Sequence, residues 1–161
     1  VDSANFSVVG TAKTNSDNDG NDFLVVTLTS PATNTALVIG DYDEIKGTDG
    51  NFPLAVDTAM QQQSAQIDLG SITADSSTYN DFALNATGLG NVSKTGVSKF
   101  GLAEGHDVLD DPLAGETGGN DMTVIFAETA GTTTDPKLAV THTTPGAGGV
   151  KRRHLLLGLG S

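Results

Sequence analysis

The stretch DFLVVTLTS (residues 22–30) decides the fold class. Its apolar residues are largely β-branched and run almost without a break, which predicts a strand. NSDNDGND (residues 15–22) precedes it, and the Asp19-Gly20 step there predicts a hairpin. On the far side of that step, Ala4, Phe6 and Val8 alternate with Asn5, Ser7 and Val9, the two-residue period of a half-buried strand. Moving the other way, PATNTALVIGDYDEI (residues 31–45) opens as a loop, with residues 36–39 read as a short strand or one helical turn. QQSAQIDLG (62–70) alternates Ala65, Ile67 and Leu69. TYNDFALNA (78–86) alternates Phe82 and Leu84, and TGLGNVSKTG (87–96) suits a short helix. VSKFGLAEG (97–105), DMTVIFAET (121–129) and PKLAVTHTT (136–144) complete the set. About eight strands at intervals of roughly 8–20 residues, with little helix, predict an all-β sandwich or barrel.

Composition agrees. The chain has 161 residues, 37% hydrophobic and 17% charged, with Gly, Thr, Ser, Asn and Asp taking up the balance; that mixture favours short strands joined by many turns. It carries 8 basic and 20 acidic residues, a net charge of −12. Three of the basic residues stand at 151–153, so residues 1–150 hold five basic against twenty acidic side chains, a net of −15. Such a surface repels nucleic acid and attracts Ca²⁺ and basic peptides. There is no cysteine, hence no disulfide framework or thiol chemistry. No run approaches the roughly 18 apolar residues of a membrane-spanning helix. The chain opens on Val1 without a charged-then-apolar leader, which reads as a processed chain or a fragment.

STYNDFALNATGLGNVSKTGVSKFGLAEGHDV (residues 77–108) resembles the jelly-roll β-sandwich domains of the DNRLRE-like group, found in phage tail and virion proteins and in large bacterial surface proteins. VDSANFSVVG (1–10) resembles that group's strand of the form I-x-S-A-x-L-S-L, and DPKLAVTH (135–142) its closing strand of the form P-x-L-x-V-x-Y. The resemblance covers roughly residues 1–144 and implies a jelly roll with short helical turns and no catalytic motif. In the group, the strand that residues 1–10 resemble usually follows several earlier strands, whereas here it opens the chain. That departure predicts an open groove and unpaired edges, and buried backbone groups without partners cost roughly 1–3 kcal/mol each.

The chain closes on KRRHLLLGLGS (151–161), joined to the body by a Gly-rich linker at 145–150. As an extended strand it places Leu155, Leu157 and Leu159 on one face and Leu156, Gly158 and Gly160 on the other. This extended C-terminal tail is a candidate donor strand, with the leucines as anchors and Lys151, Arg152 and Arg153 as electrostatic guides toward an acidic body. The partner it implies is a second copy of the chain, giving a head-to-tail homopolymer.

Other candidate sites are weaker. Asn15, Asp17, Asp19 and Gly20 match positions 1, 3, 5 and 6 of a calcium loop, but Val26 stands where the bidentate Glu belongs and the flanks read as strands, so a polar hairpin turn is the favoured reading and calcium the alternative. Asp41, Asp43, Glu44 and Asp49, and His106, Asp107, Asp110 and Asp111, read as solvated loops. Asn5, Asn85 and Asn91 begin glycosylation sequons. No acid pair is singled out for glycoside chemistry, and His106, His142 and His154 pair with no identifiable nucleophile, so no enzyme is expected. The expectation is a structural subunit of a fibre or surface array outside a cell or on a virion. The alternatives are a phage tail-fibre fragment, or a carbohydrate-binding module using Tyr42 and Tyr79 as platforms for glycans.

Overall fold

A computed structural model describes residues 1–16, 20–33, 38, 41, 44–55, 57–111, 118–126 and 133–143. These residues form strands β1 (Ser3–Asn15), β2 (Phe23–Leu28), β3 (Ile67–Asp68), β4 (Tyr79–Ala83), β5 (Phe100–Glu104), β6 (Asn120–Val124) and β7 (Lys137–Thr141). Two short helices, α1 (Ala86–Asn91) and α2 (Gly105–Leu109), complete them. The chain is mostly β, in two antiparallel sheets. In one, β1 is central: β4 pairs with its residues 5–9 on one side, while β7 pairs with residues 3–7 and β6 with residues 10–15 on the other. In the second, β2 lies between β3 and β5.

The two sheets face each other across one apolar core. Ala4 and Val8 of β1, Leu24 and Val26 of β2, and Phe82 of β4 meet there with Leu69, Ile72, Leu84 and Val92. β2 is also buried on its other face, where Phe23 and Val25 pack against Met60 and against Val108 of α2. Burial on both faces is why residues 23–26 are apolar without alternation. β1 departs from the half-buried alternation expected of it: on its second face Ser7 and Val9 are buried as well, and Ser7 Oγ donates to Asp81 Oδ1 at 2.6 Å. Farther along β1, the Lys13 ammonium donates to the carbonyls of Leu69, Gly70 and Ile72 at 2.6–2.9 Å and satisfies the short 3₁₀ turn Leu69–Ser71.

Residues 61–65 lace the sheets together. The Gln63 N–H donates to Val26 O at 2.7 Å, and Val26 N–H donates to Ser64 Oγ at 3.0 Å. On the other side Asn85 N–H donates to Gln63 O at 2.9 Å and Ala65 N–H to Ala83 O at 3.1 Å. The Gln63 side chain, fully buried, receives Asn91 Nδ2 on its Oε1 at 2.7 Å and donates through Nε2 to Gln61 O at 3.0 Å.

Several expectations change. The Asp19-Gly20 step does not make a hairpin, because β1 and β2 are the central strands of different sheets. Both bury apolar residues toward the same core, so they stack rather than pair. In residues 62–70 the buried positions are Gln63, Ser64 and Leu69, while Ala65 is exposed; the segment follows its hydrogen bonds to two sheets, not an apolar period. The helix expected over 87–96 stops at Asn91, whose side chain turns to Gln63. HDVLDD is not an open loop: its first four residues lie in α2. The short strand or turn expected over 36–39 falls mostly outside the described residues, as do the linker 145–150 and the tail 151–161.

Gly88 tests the lacing. A Cβ built there would overlap the Gln63 carbonyl oxygen, whereas one at Gly90, in the same helix, meets nothing. Gly88→Ala should therefore lower stability by about 1–3 kcal/mol, while Gly90→Ala should raise it by up to about 1 kcal/mol. Chemical denaturation of the two variants beside the parent would show the opposite signs.

Candidate functional site

Two of the carboxylates singled out in the sequence, Asp41 and Asp49, serve their own turns. Asp41 accepts the N–H groups of Ala32 and Val38 at 3.0 and 2.9 Å. Asp49 accepts the N–H and the side-chain amide of Asn51 at 3.0 and 2.8 Å. Both are held below the usual carboxylate range, led by the Val38 N–H for Asp41 and the Asn51 N–H for Asp49. Asp111 accepts from Asn21 Nδ2 at 2.7 Å, and Asp110 closes α2 in the left-handed conformation, φ 55°. Of the calcium-loop positions, Asn15 ends β1 opposite Asn120. With its amide turned to suit its neighbours, Asn15 donates to Asp22 Oδ2 at 3.3 Å and accepts from Gly70 N–H at 3.2 Å. Gly20 has the positive φ, 100°, that the turn reading gave it a reason to have. Asp17, Asp19, Tyr42 and Asp43 lie outside the described residues. Among the described residues no three His, Asp or Glu side chains converge as a metal-ligand set.

One polar cluster was not foreseen. His106 is 5% exposed, and its Nδ1 lies 3.0 Å from Glu104 Oε1. Glu104 also caps α2 by accepting the His106 N–H at 3.0 Å. Asn120 Nδ2 donates to Asp22 Oδ1 at 2.7 Å and reaches Glu104 Oε1 at 3.4 Å. The cluster ties the end of β5 to the start of β6, one strand from each sheet. The signal in the sequence was Glu-Gly-His at 104–106, a capping acid just ahead of an apolar turn.

Two grooves open at the margins of the core. The first, about 550 Å³, is lined by Val1, Val92 and Val140 with Lys94 and His142; Val140 is 41% exposed there. The second, about 480 Å³, runs between β5 and β6. Leu102, Met122, Val124 and Phe126 line it, with Glu104, Asp107 and Asp121 also on its walls. Phe126 is 63% exposed, and β5 is the last strand of its sheet among the described residues. Among the described residues the second groove thus combines an apolar trough, a free sheet edge and negative charge with no cation on its walls, a combination suited to an extended basic-apolar peptide.

The sequon side chains are engaged or lie within the fold. Asn85 caps α1: its Oδ1 accepts Gly88 N–H at 2.9 Å, and its Nδ2 donates to Gln62 O at 3.1 Å. Asn91 holds Gln63, and Asn5 sits half-buried in β1 between β4 and β7. Tyr79 carries the Lys137 ammonium 3.5 Å from its ring centroid, and its hydroxyl lies 3.0 and 2.9 Å from the carbonyls of Thr133 and Asp135. No helix among the described residues is long and apolar enough to cross a membrane. Comparison with known family models, curated proteins and solved structures gave no match in any of the three.

Two measurements follow from this geometry. Asn85→Ala removes a cap and a seam donor together and should cost about 1–2 kcal/mol; at this chain length that lowers the melting temperature by roughly 2–8 °C. Asp75 accepts the Thr78 and Ser77 hydroxyls and both their N–H groups, at 2.7–3.1 Å, led by the Thr78 hydroxyl, and these hold its carboxyl far below the usual 3.8. Its pKa is depressed on folding, so the stability it contributes is complete above 3.8 and is lost only as pH falls through the depressed value. An NMR titration of the side-chain carboxyl should place its midpoint well below 3.8.

Proposed function

We propose that this chain is a structural subunit that assembles head-to-tail, outside a cell or on a virion, by adding the C-terminal strand of one copy to the body of the next. The observation that carries this reading is the pairing of an apolar groove beside a free sheet edge with a terminal segment of matching chemistry. The groove between β5 and β6 has exposed apolar walls and acidic side chains. Residues 151–161 supply three cations followed by four leucines. Burying each leucine is worth roughly 1.5–3 kcal/mol before the cost of ordering the strand. The acidic body and basic tail attract each other at distances where the leucines do not yet touch anything, which raises the rate of encounter.

The two-sheet body is read as a jelly roll on the strength of the resemblance at residues 77–108. Its chemistry is non-covalent, and a fibre or surface array is the setting that uses such a joint. The carbohydrate-binding alternative is disfavoured by Tyr79, whose ring already holds a lysine where a sugar would stack.

Deleting residues 150–161 should abolish polymerisation and leave the body monomeric in size-exclusion chromatography, with its β-rich circular dichroism intact. Ordered filaments of the truncated chain under the electron microscope would overturn the proposal.

A further inference from the structure

We infer that the acceptor is specifically the β5–β6 groove of a second copy, and that the incoming strand runs antiparallel to β5. The inference rests on the head-to-tail reading above and adds the site, the direction and the partner. Charge separates the two grooves. The valine-lined one carries Lys94 and His142, which repel an incoming Lys151–Arg153 triplet or at best ignore it. The β5–β6 groove carries Glu104, Asp107 and Asp121, the last two exposed.

The direction comes from how those residues are ordered. Asn120 reaches Glu104, so the start of β6 lies beside the end of β5. Asp107 follows Glu104 in α2, and Asp121 follows Asn120 in β6, so all three acids collect at this one end. From there β6 continues to Val124 and Phe126, and the walls become apolar. A strand antiparallel to β5 therefore meets the acids first and the apolar trough second, the order in which the tail presents its cations and then Leu155, Leu157 and Leu159. The lengths agree: these leucines span four residue steps, as do the five residues of β5, roughly 13 Å each. A parallel strand would put the cations on Phe126 and the leucines on carboxylates.

Reach disfavours a copy's own groove. Asp2 N–H donates to Thr141 O and Thr143 Oγ1 to Asp2 Oδ2, so the described chain ends beside the start of β1. The acidic end of the groove lies at the other end of β1, where Asn15 faces Asn120. The thirteen steps between Asp2 and Asn15 cover roughly 40 Å. The eight steps from Thr143 to Lys151 cover at most about 29 Å when fully extended. Even the ten steps to Arg153 give at most about 36 Å, so a copy's own groove demands a fully stretched linker, whereas a second copy receives the triplet without that cost.

Reciprocal charge reversal in the full chain tests this. One variant carries Asp107→Lys and Asp121→Lys; the other carries Lys151→Glu, Arg152→Glu and Arg153→Glu. Each alone should raise the concentration needed for assembly by at least about tenfold. Mixing the two should restore assembly, since every tail then finds a groove of opposite charge, and sedimentation should show the mixed polymer. A groove variant that assembles like the parent, or a mixture that stays dispersed, would overturn the site. If either result came with tail deletion still abolishing polymerisation, the head-to-tail reading would stand with its acceptor elsewhere. A tail-deleted chain that polymerises would remove both.

Discussion

Both sheets meet at Gln63, a polar residue with no exposure to water. Its N–H donates to β2 and its C=O accepts from Asn85, two residues beyond β4, so one residue bonds to both sides. Buried amides left unpaired cost roughly 1–3 kcal/mol each. In this case the side chain is satisfied as fully as the backbone, by Asn91 on one atom and Gln61 on the other. A satisfied buried network fixes geometry in a way that interchangeable apolar contacts do not. Two consequences spread from it. Helix α1 must begin at Asn85 and must have glycine at position 88, because the Gln63 carbonyl occupies the space a side chain would need. And the two sheets are closed to each other along this margin, which leaves the opposite margin, between β5 and β6, as the place where the layers part.

A chain of net charge −12 has to accommodate its carboxylates somewhere. Four of those described serve turns: Asp41, Asp49, Asp68 and Asp75 each accept N–H groups two to nine residues away. Such bonds satisfy loop backbone that no ladder reaches, and they favour the ionised form of the acid. That explains how low hydrophobic content and heavy acidity coexist with a defined fold. Asp107 and Asp121 stand apart from this pattern, being exposed beside an apolar trough.

The class of fold was legible because strand residues state it plainly. Residues 22–30 could hardly be anything else, and Phe82 and Leu84 alternate as their burial requires. What could not be read was which strands share a sheet. The Asp19-Gly20 step has the local chemistry of a hairpin, but local chemistry says nothing about whether two apolar faces pair edge to edge or stack. Gln63 and Ser64 were invisible for a related reason. Their burial depends on hydrogen bonds to residues 38, 21 and 28 positions away, and in the sequence they are three glutamines and a serine. The Glu104–His106 contact was within reach, being local, but the cluster it joins needed Asp22 and Asn120 to be brought together from distant parts of the chain. Of the calcium spacing at residues 15–20, Asp17 and Asp19 lie outside the described residues, and the Asn15 side chain serves Asp22 and Gly70 at the end of a strand.

Under the proposed joint, a donor and an acceptor at opposite ends of β1 would allow two assemblies, an open row or a closed antiparallel pair in which each copy receives the other's tail. Electrostatics separates them. In the pair, two bodies carrying five basic and twenty acidic side chains each would lie flank to flank along the length of β1. Like charges held within about 8 Å of each other are poorly screened at physiological salt. In the row, neighbours touch only at their ends, and the charge that lies closest across each joint is the basic triplet against carboxylates. On that proposal the same net acidity that would draw the tail in would push the flanks apart, and the arrangement that would satisfy both is a head-to-tail chain that does not close on itself. Salt would act on the two terms in opposite senses, weakening the joint while relieving the repulsion between flanks.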